Sequence, residues 1–203
     1  YFGSATETQS IILYIESISE AREFMSAARA FARTKPIVAY KAGRFAESAQ
    51  AAASHTGAMA GVDAVYEAAF QRAGIERIFQ IEDMFDCAEL LARQQPPKGD
   101  RLAIVTNAGG PGVMTTDALI ARDGKLAKLT EESMRELNEL LPPFWSHGNP
   151  IDVLGDAPPE RFARATEIVL KDPNVDAVLV ILTPQAMTDP TGTAEEVAKV
   201  AGG

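Results

Sequence analysis

The sequence is poor in cysteine, in basic charge and in long apolar runs, and each shortage excludes a class of protein. Its one cysteine, Cys87, cannot form an internal disulfide and has no partner at zinc-binding spacing, which fits a reducing compartment. The 28 acidic residues outnumber the 19 basic ones and leave a net charge of −9, which argues against a nucleic-acid surface. Apolar runs stay short of the ~18 to 20 residues of a membrane span, and the first residues lack a signal-peptide pattern. We therefore expect a cytoplasmic protein that binds neither nucleic acid nor membrane.

The apolar runs that are present alternate with segments of helical periodicity. Runs short enough for buried parallel strands lie at 11–15, 37–40, 75–81, 102–106, 126–129 and 175–182. Helices are predicted between them at 21–31, 83–93, 113–122, 130–141 and 159–170 and from residue 194 onward, with Ser19 and Thr130 as N-caps. This alternation predicts α/β units with parallel sheets covered on both faces.

A polar linker with two prolines and a glycine, QQPPKGD at 94–100, separates two such units. We expect one unit at 1–97 and the second at 98–203, each a three-layer α/β/α arrangement. The chain starts at Tyr1 rather than at a methionine and stops abruptly at Gly203. We therefore expect both units to be incomplete and the chain to be a fragment of a larger protein.

His55 lies among small residues that follow the second predicted strand. The segment from Lys41 to Gly61 reads KAGRFAESAQAAASHTGAMAG. A neutral imidazole nitrogen is a competent nucleophile near neutral pH, whereas the hydroxyl of Ser54 would need a base. The small neighbours would let an anion approach the ring. The alternative is that these residues only allow close packing and that His55 caps a turn.

The same segment carries a family resemblance. KAGR and AAASHTGAMAG resemble the phosphohistidine segment of the NDP-forming acyl-CoA synthetases, the ADP-forming acetate–CoA ligase group of the succinyl-CoA synthetase superfamily. ILYIES, TNAGGPGV, NPIDV and LTPQAMTDP extend the resemblance over most of the chain. Ser48 departs from it, since the family more often has glycine there. The resemblance implies two flavodoxin-like units, the C-terminal part of a phosphohistidine domain followed by a CoA-ligase domain with a glycine loop.

The resemblance also implies two catalytic residues. His55 would take a phosphoryl group from an acyl phosphate and pass it to ADP, or run the reverse. Glu16, in ILYIES, would hydrogen-bond one ring nitrogen of His55, fixing its tautomer and directing the other nitrogen at phosphorus. The alternative for Glu16 is a solvated carboxylate at a strand end that pairs with Arg44.

A second candidate site is the glycine loop at 107–112, NAGGPG, between a predicted strand and a predicted helix. Glycines let the backbone approach a ligand, and a helix start offers free N–H donors to a phosphoryl group. The loop is neither a dinucleotide fingerprint nor a P-loop, and taken alone it could be a simple turn. In the resembling family the loop begins a helix that points at the phosphohistidine. Its phosphate-binding residues are then Gly109, Gly110, Gly112 and Val113.

Further phosphate-binding residues are predicted beside the histidine, namely Ser54, Thr56, Gly57, Lys41 and Arg44. Lys41 and Arg44 could equally form salt bridges at the edge of the first sheet. No metal ligands are predicted. His147, the other histidine, is expected to be a loop residue, and Asn149 and Asp152 are expected to fix a turn.

The function implied by the resemblance is the interconversion of acyl-CoA, ADP and phosphate with a small carboxylic acid, CoA and ATP. The full enzyme would need Mg²⁺, a CoA-binding domain and an ATP-grasp domain on the same chain or another subunit, and it would be a homo-oligomer. Phosphate alone would bind within this chain, which by itself would be inactive. Two alternatives remain open: a ligand-sensing part of a protein lysine acetyltransferase fusion, and a binding module without chemistry.

Overall fold

A computed structural model describes residues 5–45, 48, 62–94 and 96–202. The chain divides into unit 1, residues 1–96, and unit 2, residues 97–203. Both units are built on parallel sheets with helices between the strands, so the predicted α/β class is confirmed. Within the described ranges, no helix is long and apolar enough to cross a membrane.

The described part of unit 1 holds a three-stranded sheet in the order β1-β2-β3. Its strands are β1 (Ile11–Ile15), β2 (Ile37–Lys41) and β3 (Ile75–Ile78), and its helices are α1 (Ala21–Ala32), α2 (Asp63–Ala73) and α3 (Ile81–Arg93). The central strand β2 is the most buried, with Ile37, Val38 and Ala39 each at most 3% exposed. A core that includes Phe70 and Tyr66 of α2 covers one face of this sheet, as expected for apolar runs buried between helices.

The ends of four elements in unit 1 show what the sequence pattern could locate. Gly74 ends α2 in the left-handed conformation, with φ of 73°, a conformation that glycine adopts without strain. The prediction that α3 begins at Asp83 is wrong, because the helix starts at Ile81 and places Asp83 in its first turn. Ser19 does not cap α1, whose N-cap is Glu20, without a side-chain cap hydrogen bond. The third strand stops at Ile78 and not at residue 81.

Unit 2 is built around β4 (Arg101–Thr106), which pairs in parallel with every other described strand of the unit. Those strands are β5 (Lys125–Leu126), β6 (Ile151–Asp152) and β7 (Ala177–Ile181), and the helices are α4 (Gly109–Ile120), α5 (Glu131–Leu140), α6 (Pro159–Lys171) and α7 (Pro190–Ala201). Ala103, Ile104 and Val105 of β4 are fully buried. The carboxyl end of β4 therefore leads directly from the core into the glycine loop.

Several boundaries in unit 2 differ from the predictions. The strand predicted at 126–129 is the two-residue β5, and the loop expected around Ile151 pairs with β4 as β6. Helix α7 begins at Pro190 and not near residue 194, since Asp189 accepts a hydrogen bond from the Gly192 N–H and proline suits a first helical position. Thr130 is confirmed as a cap, with its hydroxyl accepting from the Ser133 N–H.

An ion pair ties β4 to the start of β7 at the amino end of the unit 2 sheet. Arg101 Nε and Nη2 each lie 2.8 Å from a carboxylate oxygen of Asp176, and the Arg101 backbone N–H donates to the same carboxylate at 3.0 Å. The hydrogen bonds from Arg101 lower the pKa of Asp176 from 3.8 to about 2. The folded state therefore holds this carboxyl group ionised at low pH.

Candidate functional site

The three parallel strands of unit 1 end at one edge of the sheet, which we call its carboxyl edge, and two of them end beside charged side chains. Glu16 follows β1, the turn at 41–44 follows the last residues of β2, and Phe79 follows β3. The Ala42 N–H donates to the Ile15 carbonyl at 2.9 Å, and Ile15 is the register partner of Lys41. Glu16 and the turn that leads toward His55 in the sequence are therefore neighbours. Ligands of open parallel sheets gather at such an edge.

Four of the predicted site residues fall in a segment that the structure does not describe. These are Ser54, His55, Thr56 and Gly57. The predicted hydrogen bond between Glu16 and His55 and the predicted phosphate contacts of this segment stay predictions.

Glu16 is half-buried and lines an open groove of about 620 Å³ at the start of α1. Ser17, Glu20 and Glu23 line the same groove. The ion pairs found among the described residues do not include one between Glu16 and Arg44, which was the alternative explanation for this carboxylate. The carboxylate of Glu16 is therefore accessible to a ligand or to another side chain from the groove.

Lys41, the last residue of β2, is buried at the carboxyl edge. Only 1% of the residue is exposed. Its ammonium donates to the Ala42 carbonyl and lies 4.6 Å from the centre of the Tyr66 ring. Burial lowers the pKa of the Lys41 ammonium, whereas the nearby carboxylates of Asp63 and Glu16 raise it. The phosphate contact predicted for Lys41 stays a prediction, and the ion pairs found among the described residues do not include Lys41.

Arg44 and Arg77 lie on the same aromatic ring. Their guanidinium carbons are 4.5 Å and 5.0 Å from the centre of Phe79. Arg77 is paired with Asp63 at 2.6 Å and with Glu67 at 2.8 Å, but Arg44 Nε has no hydrogen-bond partner among the described residues. Arg44 forms no ion pair among the described residues, and its predicted phosphate contact stays a prediction.

Sequence reasoning missed the network around Arg77. The available signal was the spacing of Asp63 and Glu67, which puts two carboxylates on one face of α2. Arg77 itself is 9% exposed, although it lies in a strand, and a buried arginine needs acidic partners. Those partners are distant enough in sequence that the strand pattern alone could not name them.

In unit 2 the glycine loop is fixed by a buried amide. Asn107 is 2% exposed. Its Nδ2 donates to the Thr183 carbonyl at 2.9 Å, and its Oδ1 accepts from the Thr183 N–H at 2.7 Å. Thr106 Oγ1 accepts from the Ala108 N–H at 3.2 Å. The loops that follow β4 and β7 are thus joined at the carboxyl edge of unit 2, and the backbone of the glycine loop is held in one conformation.

The four residues predicted to bind phosphate here have different surroundings. Gly109 and Gly110 open α4, and their N–H groups precede the first helical hydrogen bond. Gly112 donates to the Ala108 carbonyl at 3.4 Å, and a Cβ on it would lie 3.2 Å from Pro150 Cβ and 3.3 Å from Thr106 Cγ2. Val113 is the fifth residue of α4, so its N–H comes after the first helical hydrogen bond, made by Gly112. Gly109 and Gly110 are therefore the available donors, and Gly112 permits close packing.

Asp152 borders this pair of donors. Its Oδ1 accepts from the Leu154 N–H at 2.9 Å, which is the turn-fixing bond that the sequence predicts. Its Oδ2 lies 3.7 Å from the position that a Cβ on Gly109 would take. A carboxylate near a helix N-terminus interacts favourably with the helix dipole, so Asp152 contributes negative charge beside the start of α4.

The other predicted polar residues of unit 2 are structural. His147 lies in a loop, as expected, with Nδ1 2.8 Å from Asn138 Oδ1 and its ring against the buried Trp145. Asn149 does not fix a turn. Its side chain bonds to β4 at Ile104 N and at the Leu102 carbonyl. Within the described residues, no group of three or more acidic, histidine or cysteine side chains is placed to hold a metal ion.

Two family models together match nearly the whole chain. The succinyl-CoA ligase like flavodoxin domain matches residues 1–91, and the ligase-CoA domain matches residues 102–203. An ADP-forming acetate–CoA ligase of Archaeoglobus fulgidus is 44% identical over 97% of this chain, which corresponds to 28% of that protein. The alpha subunit of an ADP-forming acetate–CoA ligase of Pyrococcus furiosus is 42% identical over 96% of this chain and 43% of its own length.

A solved structure agrees with these relatives. The dinucleotide-forming acetyl-coenzyme A synthetase 1 of Ca. Korarchaeum cryptofilum, in complex with phosphate and ADP, has a TM-score of 0.92 and 38% identity. The match covers 98% of this chain and 44% of that one, so the chain spans less than half the length of the relatives named here. The chain belongs to the ADP-forming acetate–CoA ligase family of the succinyl-CoA synthetase superfamily, as its motifs indicate.

Proposed function

We propose that this chain is part of an acyl-CoA synthetase that interconverts acyl-CoA, ADP and phosphate with a carboxylic acid, CoA and ATP. The observation that carries the proposal is the 44% identity, over 97% of the chain, to a protein named for that activity. The intact S-H-T-G motif at 54–57 supports it. A related structure that holds phosphate and ADP supports the same ligands here.

The proposed chemistry divides the conversion into three transfers. Phosphate attacks the carbonyl carbon of the acyl-CoA, a C–O bond forms, and the C–S bond breaks to release the CoA thiolate. A nitrogen of His55 then attacks the phosphorus of the acyl phosphate, so that an N–P bond forms and the carboxylate leaves. An oxygen of the terminal phosphate of ADP finally attacks phosphorus, the N–P bond breaks, and ATP is formed. A covalent carrier of this kind splits one hard transfer into easier steps.

Glu16 is proposed to orient His55, and two further groups are proposed to hold phosphate. The position of Glu16 beside the turn at 41–44 supports a hydrogen bond to one ring nitrogen. Arg44, stacked on Phe79, supports an electrostatic contact with the phosphoryl group. The free N–H groups of Gly109 and Gly110 support a second phosphate site at the start of α4. Ser54, Thr56 and Gly57 are proposed to complete the surroundings of the ring.

The remaining parts of the reaction are proposed to lie outside residues 1–203. They are a CoA-binding domain and an ATP-grasp domain, with Mg²⁺ bound to the nucleotide. We further propose that the complete enzyme is a cytoplasmic homo-oligomer that uses a small acid such as acetate. The histidine in its intact motif favours this enzyme over a regulatory part of a lysine acetyltransferase fusion.

The test uses both histidines of the chain. The complete enzyme is incubated with ATP labelled on its terminal phosphate and with Mg²⁺, and the protein is tested for an acid-labile, base-stable label. We expect the label in wild type and in His147→Ala, and its loss in His55→Ala. A label that persists in His55→Ala would assign the carrier to another residue, and an unlabelled wild type would contradict the proposed function.

A further inference from the structure

Helix α3 of unit 1 is an amphipathic helix in which no residue is buried. Two of its apolar side chains, Ile81 and Phe85, lie one turn apart and are 40% and 65% exposed. Two exposed carboxylates, Glu82 and Glu89, lie beside them and are seven residues apart. Residues at this spacing lie on the same side of a helix, about 10.5 Å apart along its axis. We call these four residues the acidic face.

A groove between α1 and α2 combines apolar side chains with the opposite charge. It has a volume of about 190 Å³, and its lining includes Phe24 and Met25 of α1 and the 65% exposed Val65 of α2. Met25 also lines a second, open groove on α1 together with the exposed side chains of Arg22 and Arg29. We call the apolar groove with this arginine border the basic groove.

The arginines of this border have no internal partner that explains them. In a chain with a net charge of −9, the ion pairs of the described residues include neither Arg22 nor Arg29. Arg29 lies in the last turn of α1, where the helix dipole favours a cation, but Arg22 lies in the first turn, where the dipole disfavours one. The stability of α1 therefore accounts for only one of these two charges.

The acidic face and the basic groove match in the spacing of their charges. Arg22 and Arg29 are seven residues apart, as are Glu82 and Glu89. If α3 lies antiparallel to α1, Glu82 is level with Arg29 and Glu89 is level with Arg22. Phe85 is then between the two pairs, at the level of the groove. An amphipathic helix that lies in an apolar groove is a common mode of recognition.

The acidic face of one copy cannot reach the basic groove of the same copy. Helices α1 and α2 cover the core on one face of the sheet, whereas α3 packs on β2 and β3 and contributes no residue to that core. The two surfaces therefore lie on opposite faces of the unit 1 sheet. A contact between them joins two copies through different surfaces, so it assembles rings or longer chains of copies.

We propose that the acidic face of one copy of this chain docks in the basic groove of a second copy. Phe85 would enter the groove beside Val65, so both exposed apolar side chains would lose contact with water. The arginine–glutamate pairs would set the direction and the register of the two helices. This inference deepens the proposal of a homo-oligomer and does not depend on the proposed reaction.

Charge reversal tests the proposed pairing of Arg29 with Glu82. Self-association of the complete protein is measured by sedimentation velocity over a series of concentrations. We expect Arg29→Glu and Glu82→Arg each to raise the dissociation constant roughly tenfold, since each places like charges together. The double variant, which carries both changes, restores the opposite charges and should associate like wild type. Phe85→Ala should also weaken association at least tenfold, because it removes the central aromatic residue.

Arg72→Glu is the matched control. Arg72 is an exposed arginine in the last turn of α2, as Arg29 is in the last turn of α1, and it lines neither groove. The control therefore makes the same change of charge in the neighbouring helix. We expect it to associate like wild type.

Three results would overturn the inference. They are a wild-type protein that does not self-associate, wild-type association in both single charge reversals, and a double variant that associates no better than the single ones. A fall in melting temperature with unchanged association would assign the basic groove to another domain of the complete protein and would also overturn it. Labelling of His55 is measured separately, so a failure of this inference is distinguishable from a failure of the proposed function.

Discussion

The carboxyl edge of unit 1 is built from ionised side chains, whereas the carboxyl edge of unit 2 is built from backbone groups and an amide. In unit 1 this edge carries the buried Lys41 and Arg77 together with Glu16 and Arg44. In unit 2 the N–H groups of Gly109 and Gly110 are presented by a loop that Asn107 fixes. The first edge depends on buried charges such as that of Arg77, which needs acidic partners. The second depends on backbone geometry, with Asp152 as the carboxylate beside Gly109, so the two edges should respond to different substitutions.

The largest effect is expected at the amide of unit 2. Asn107→Ala removes both hydrogen bonds to Thr183 and leaves a buried N–H and carbonyl without partners, which should lower the free energy of unfolding by ~2–3 kcal/mol. Asn174→Ala is the control, because Asn174 Nδ2 makes a single exposed bond to the Lys128 carbonyl. Urea titrations compare the two variants. Equal losses would mean that the buried amide is not what holds the loops of unit 2 together.

A smaller loss is expected from the charge network of unit 1. Arg77→Met leaves Asp63 and Glu67 close together without their shared cation, and we expect a loss of about 2 kcal/mol because both carboxylates are partly solvated. Arg93→Met breaks the exposed pair with Glu89 and should cost less than about 0.5 kcal/mol. Urea unfolding of unit 1 measures both. If Arg77→Met lowers the free energy of unfolding as little as Arg93→Met does, the proposed contrast between the two edges is wrong.

Two glycines of α4 test the dependence of the second edge on geometry. Gly112→Ala places a methyl group 3.2 Å from Pro150 Cβ and should cost ~1–2 kcal/mol by overpacking. Gly110→Ala meets nothing within 4 Å and should be neutral or stabilise by up to about 0.5 kcal/mol, since alanine favours a helix. Thermal unfolding ranks the two variants. The reverse order would contradict the packing role assigned to Gly112.

The smallest effect concerns pH, and it arises at the amino end of the unit 2 sheet. Arg101 lowers the pKa of Asp176 from 3.8 to about 2. The ionised carboxylate therefore stabilises the folded state fully above pH 3.8, and this stabilisation is lost as the pH falls toward about 2. We expect wild-type unit 2 to lose more stability than Asp176→Asn between about pH 5 and about pH 2. Urea titrations at several pH values measure this difference. If the free energy of unfolding falls equally with pH in the two proteins, the Arg101–Asp176 pair does not contribute to the pH dependence of stability.

The sequence predicted those parts of the fold that depend on local patterns. The strands β1, β2 and β4 are apolar runs with β-branched residues, and the Thr130 cap is a local side-chain bond. The start of α4 was placed four residues too late. Three glycines and a proline open this helix, and the loop before it is fixed by hydrogen bonds between Asn107 and the distant Thr183. The two-residue strands β5 and β6 are too short to show a pattern.

The sequence placed the candidate site residues at strand ends but did not predict the buried charges beside them. The positions of Glu16, Arg44 and Gly109 at strand ends follow from the order of strands and turns along the chain. The burial of Lys41 and Arg77 depends on Tyr66, Asp63 and Glu67 of α2. From a strand pattern alone, lysine and arginine are expected at the surface. They are buried here because side chains that are distant in the sequence contact them.

The burial of Trp145 in unit 2 makes the two units optically distinguishable. It is the single tryptophan of the chain and is 2% exposed, while all four tyrosines, Tyr1, Tyr14, Tyr40 and Tyr66, lie in unit 1. Selectively excited tryptophan emission therefore reports the melting of the second half alone, and tyrosine emission reports the first. One sample can show whether a substitution acts only on the half that contains it.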